Sequence, residues 1–88
     1  MNKWSFGFNT YIVEFPSNML YKYYDDEYSS GLILLNNEYY YDITHNKQAN
    51  WNRILINSKD GYIKDLPFNE DTWKFLPEGV KIYAYKHS

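Results

Sequence analysis

The 88-residue chain contains no cysteine. Disulfides and thiolate metal sites are therefore excluded, and the composition suits a reducing compartment. It also lacks any run of about 18 apolar residues, the length a membrane-spanning helix needs. The opening stretch, MNKWSFGFNTYIVEF, has neither the apolar segment nor the small-residue cleavage site of a secretory leader, and reads as mature sequence. Arginine is almost missing: Arg53 stands alone beside eight lysines, against eleven acids, for a net charge of −2. Neutralising a phosphate backbone takes a basic stripe. None is present, so nucleic-acid binding is not expected.

Catalytic signatures are equally scarce. There is no nucleophile elbow, no glycine-rich phosphate loop and no metal-ligand spacing. Only two histidines occur. His87 is next to last and expected to fray. His45 lies in the polar stretch THNKQAN without a partner at recognisable spacing, and is expected to be a solvated loop residue. No cofactor, no metal and no enzymatic activity are expected.

Glycine, alanine, arginine and proline together number 10, whereas Phe, Tyr, Met, Ile, Asn and Lys number 43. That asymmetry matches AT-rich coding, as in a low-GC bacterium or its phages and plasmids. Part of the tyrosine excess is then mutational pressure. The placement of the eleven tyrosines carries more information than their number. They cluster as Tyr21, Tyr23 and Tyr24, then Tyr39 to Tyr41, then Tyr83 and Tyr85, inside segments that read as strands. Side chains on a strand alternate faces, so three consecutive tyrosines cannot all enter one core.

The chain reads as short strands divided by turn signals. Trp4, Phe6 and Phe8 alternate on one face, and Gly7 with Asn9 signals a bulge or turn. Tyr11 to Tyr24 reads as a hairpin turning at Pro16-Ser17-Asn18. Asp25 to Gly31 reads as a polar loop, and Leu32 to Leu35 as a central strand. Asn36-Asn37 reads as a two-residue turn. After it, Tyr39, Tyr41 and Ile43 share one face, while Tyr40 and Asp42 share the other. Thr44 to Asn50 reads as a loop, and Asn52 to Asn57 as the next strand. Ser58-Lys59-Asp60-Gly61 has the chemistry of a type I turn closed by a left-handed glycine. Asn69 followed by Glu70 and Asp71 is a helix start, and Pro77 with Gly79 ends that helix soon after. Val80, Ile82 and Ala84 then face inward from the last strand.

The expected fold is one mostly β domain over residues 1–88. It is a small antiparallel barrel or sandwich of about six to seven strands, with one short helix near 69–76. The alternative is an α+β fold. Trp4 and Trp73 are expected in the core. A tyrosine face made by Tyr24, Tyr40, Tyr83 and Tyr85, with Trp51 at its rim, is the expected contact surface, because tyrosine offers large area at low entropic cost. Asp25, Asp26 and Glu27 form the one acidic run and suit a contact with a basic partner.

These features favour a small cytoplasmic protein-binding module of a bacterial host, one that inhibits or neutralises a protein partner. The AT-rich coding associates it with a phage or other mobile element and with antagonism of host defence. The alternatives are a small-molecule binder that sequesters a nucleotide or sugar, and a structural homodimer or larger homo-oligomer. No membrane partner is expected.

Overall fold

The computed structural model describes residues 1–6 and 11–85. It contains eight strands and one helical turn among the described residues: β1 (Asn2–Ser5), β2 (Tyr11–Phe15), β3 (Leu20–Asp25), β4 (Ser29–Leu35), β5 (Tyr39–Asn46), β6 (Trp51–Ser58), β7 (Ile63–Pro67), α1 (Glu70–Trp73) and β8 (Lys81–Ala84). They form two antiparallel sheets, ordered β1-β2-β8 and β3-β4-β5-β6-β7. The fold is mostly β and sandwich-like, as the alternating pattern predicts.

The larger sheet is a meander, each strand pairing with the next. Its inner face carries Leu32 and Leu34, Tyr41 and Ile43, and Ile54 and Ile56, all buried. Against them the small sheet sets Val13 and Phe15, with Phe6 and Leu76 completing the core. Phe68 and Trp73, on either side of the helix start, both meet the ring of Tyr11 edge-on and are tilted against each other, which ties the helical segment to the small sheet. Asn69 caps that helix as its sequence signals. Its side chain accepts from the Thr72 N–H, and the Thr72 hydroxyl accepts from the Asn69 N–H. Gly61 closes the β6–β7 turn at φ +86°, the left-handed conformation that glycine adopts without steric cost.

Several expectations are overturned. Tyr11 to Tyr24 is not a hairpin: β2 pairs with β1 and β8, and β3 pairs with β4. The turn held by the Met19 N–H on the Pro16 carbonyl (3.0 Å) is a crossing between sheets. Parity cannot tell these apart, because a strand looks the same locally whichever sheet it joins. The polar stretch from Asp25 shrinks to a tight turn, since Ser29 to Gly31 already belong to β4. The Asp26 carboxylate makes that turn, accepting from the N–H groups of Tyr28 (2.9 Å) and Ser29 (2.8 Å).

The turn after β4 is shifted by one residue: Asn36 N–H donates to the Tyr39 carbonyl (3.0 Å), which leaves Asn37 and Glu38 at its tip. Thr44 to Asn46 is strand, and the loop begins only at Lys47. His45 is therefore not a solvated loop residue. It is wholly buried, with Nδ1 2.7 Å from Oδ1 of Asn52 and its ring edge-on to Phe6. A polar sequence hid a strand whose inward side chains hydrogen-bond each other across the ladder. Trp4 and Trp73 are partly buried against the core. Ala84 pairs with Tyr11 but is exposed. Phe8, the Gly7–Asn9 turn and His87 lie outside the described residues.

Candidate functional site

The outer face of the larger sheet is built from the residues that alternate with the core. Register sets them in rows across the strands. One row is Leu20, Leu35, Tyr40, Asn57 and Ile63. The next is Lys22, Ile33, Asp42, Leu55 and Asp65. The third is Tyr24, Gly31, Thr44 and Arg53. A solvated sheet face is ordinarily polar. This one carries apolar side chains across its first row (Leu20, Leu35, Tyr40 and Ile63) and Ile33 and Leu55 between the charged residues of its second, and no described element lies on it. Leu20 is 70% exposed and Ile63 65%. The outer face of the small sheet is the reverse, with Lys3, Ser5, Glu14 and Lys81 beside Ile12 and Tyr83.

Ile33, Leu35, Tyr40, Leu55 and Ile63 line a depression of about 400 Å³ in this face, together with Asp42, Lys22 and Asn57. The carboxylate is positioned from the third row. The Tyr24 hydroxyl donates to it (3.1 and 3.2 Å) and lies 3.2 Å from the Thr44 hydroxyl. Gly31 permits this arrangement. A Cβ at residue 31 would collide with the Tyr24 ring, so the ring lies flat across the glycine toward β5. Burial pushes the Tyr24 phenol up to about 12, and the Asp42 carboxylate adds to that. Burial likewise raises Asp42 above the ordinary carboxylate range, while the Thr44 and Tyr24 hydroxyls pull it down. Such a group can accept hydrogen bonds or meet a cation, within a mainly apolar surround.

The residues singled out from sequence are only partly brought together. Tyr24, Tyr40 and Trp51 share the outer face of the larger sheet, with Tyr24 and Tyr40 separated by β4. The Arg53 guanidinium covers the Trp51 ring, 5.3 Å from its centre. Tyr83 and Tyr85 belong to the other sheet or to its end, and are exposed there. Tyr24, Tyr40, Tyr83 and Tyr85 therefore do not form one face. The acidic run stands apart as well. Asp25 forms an ion pair with Lys47, Asp26 holds its turn, and Glu27 is exposed at the turn's tip. The Ser29 and Tyr28 N–H groups hold the Asp26 carboxyl below its usual range.

Sequence reasoning missed Ile33, Leu35, Leu55, Ile63 and Asp42. The signal was there in part: Leu32 to Leu35 and Ile54 to Ile56 are apolar at both parities, which a one-sided strand does not need. No group of three or more potential metal ligands lies together among the described residues. No described helix is long and apolar enough to cross a membrane. No protein-family model, no curated protein and no solved structure matches the chain.

Proposed function

We infer that the chain is a protein-binding module that blocks a partner through the outer face of its larger sheet. The observation that carries this reading is the apolar surface of Leu20, Ile33, Leu35, Tyr40, Leu55 and Ile63, which no described element covers. Contiguous apolar surface of this kind marks contact sites. Asp42, with Lys22 and Asn57 in the same depression, supplies polar anchors of the sort that fix orientation in a largely apolar contact. Tyr40 is the aromatic contact at one end, and Trp51 with Arg53 forms the opposite rim.

The test is a comparison of tagged proteins purified from a low-GC bacterium. Wild type is expected to retain a stoichiometric protein that the double variant Tyr40→Lys, Ile63→Lys loses, with Tyr83→Ser, Tyr85→Ser retaining it. Retention by a folded outer-face variant would discard this face as the contact surface.

A second reading has one specific observation in its favour. The depression has the volume of a small-molecule site, and apolar walls with the Asp42 carboxylate, the Lys22 ammonium and the Asn57 amide suit a ring bearing hydrogen-bonding groups. A small molecule carried through purification, and lost from Asp42→Ala, would favour that reading.

A further inference from the structure

Among the described residues four strands lie at sheet edges: β1 and β8 in the small sheet, β3 and β7 in the larger. An edge strand offers unpaired backbone groups to any strand that comes alongside, and proteins blunt such edges with brevity, lysine or proline. β1 and β8 have four residues each, with Lys3 and Lys81 among them. β7 carries Lys64 and Asp65 and ends on Pro67. The Ser58 N–H bond to the Tyr62 carbonyl fixes the phase of that ladder, so Pro67 occupies an outward-pointing position with no N–H to offer. β3 has one lysine as well, Lys22, but it is the longest of the four edge strands at six residues, LYKYYD, has no proline, and leaves Leu20, Tyr21 and Tyr23 exposed.

We propose that β3 is the seam of a homodimer, pairing antiparallel with β3 of a second copy about a twofold axis through Tyr23. The register follows from the hydrogen-bond phase. Asp26 N–H donates to the Ser29 carbonyl (2.8 Å). Bonded pairs alternate along an antiparallel ladder, so Tyr24, Lys22 and Leu20 turn their backbone groups toward β4. Tyr21, Tyr23 and Asp25 turn theirs outward.

An axis midway between two residues would set outward groups against inward ones, and it fails on that ground. An axis through Lys22 places two ammonium groups opposite each other. An axis through Tyr24 overlaps only residues 23–25 of the strand. An axis through Tyr23 overlaps residues 21–25. Tyr23 then meets Tyr23 of the second copy, and Tyr21 meets Asp25 of the second copy on either side. Each of these pairs exchanges two backbone bonds, about six in all.

The side chains agree with this register. Lys22 faces Tyr24 of the second copy, and no like charges are opposed. The rings of Tyr21 and Tyr23 are already parallel, 6.4 Å apart with 8° between their planes. Pairing through Tyr23 sets its ring beside that of Tyr23 in the second copy, at a cross-strand spacing of about 5 Å. It covers Tyr23, now 61% exposed. An axis through a residue also keeps like faces together, so the two outer faces join into one surface. This seam stands on the backbone edge and is independent of what the outer face binds.

The chain has no native cysteine, so single-thiol variants read the register directly. Across a bonded pair the Cα atoms lie about 5.5 Å apart, within disulfide reach. The two Tyr21 positions would lie about 14 Å apart, out of reach. Under oxidised glutathione, Tyr23→Cys is expected to form a covalent dimer about tenfold or more faster than Tyr21→Cys. In sedimentation equilibrium, wild type is expected to dimerise, and Tyr23→Lys to weaken the dimer about tenfold or more with circular dichroism unchanged. A wild type that stays monomeric at about millimolar concentration would overturn the proposal. So would equal cross-linking of the two thiol variants, or a dimer indifferent to Tyr23→Lys.

Discussion

The two faces of the larger sheet are made by the same strands and differ by a single residue step. Ile54 is wholly buried and Leu55, its neighbour, is not. Ile43 lies in the core, and Asp42 lies in an open depression. On the inner face of β5 and β6 the polar pair is enclosed: His45 meets Asn52 beside the ring of Phe6. On the outer face even the apolar residues meet water. The inner face is closed by β1, β2 and β8, and that closure, rather than residue type, separates structural side chains from available ones. Apolar character on a strand is thus ambiguous until its opposing layer is known.

Paired truncations separate the two faces most directly. Ile54→Ala is expected to cost about 2–4 kcal/mol in urea unfolding, through lost burial and a residual cavity. Leu55→Ala should cost about 1 kcal/mol or less, because its methyl groups are already partly hydrated. Equal costs would show that the outer face is covered and would remove it as a contact surface.

A smaller effect is expected from Asn52→Ala, which takes away the amide oxygen facing Nδ1 of the buried His45. The loss should be about 1–2 kcal/mol, measured by the same unfolding experiment. An unchanged midpoint would mean that the inner polar pair adds nothing to the closure.

Gly31→Ala tests the opposite face. The new methyl must displace the Tyr24 ring and its bonds to Asp42 and Thr44, at about 1 kcal/mol. Ultraviolet titration should then find the Tyr24 phenol falling from about 12 toward an ordinary tyrosine value. If it stays high, the ring keeps its place and the glycine is not what admits it.

Asp42→Asn should give the smallest change, a modest rise in Tm at neutral pH. Folding raises the Asp42 pKa, so the folded state favours its protonated form. That contribution is full below the unfolded carboxylate pKa and is lost as pH rises through the raised folded value. The amide cannot ionise and still accepts from Tyr24, so the advantage of Asp42→Asn should vanish in acid. Thermal melts at neutral and acidic pH check this; a variant less stable at neutral pH would mean that the charged carboxylate is favourable where it stands.

Much of the fold was legible because local rules act over a few residues. The Asn69 cap, the left-handed Gly61 and the alternation of Tyr39, Tyr41 and Ile43 against Tyr40 and Asp42 follow from neighbours alone. The site was legible only in fragments. Tyr24 and Tyr40 could be placed on one side of their strands, but nothing local distinguishes β8, which carries Tyr83, from a strand of the same sheet. His45 was misread because its partners, Asn52 and Phe6, are supplied by other strands and segments.

By itself the sequence determined where most strands run, which side chains share a face, and where the tightest turns and the helix start fall. Only the tertiary structure decided which strands join which sheet and which of the two alternating faces becomes the core. The reason is symmetry. A strand's alternation defines two faces without ranking them, and only the packing of β1, β2 and β8, drawn from both ends of the described chain, covers one and leaves the other open.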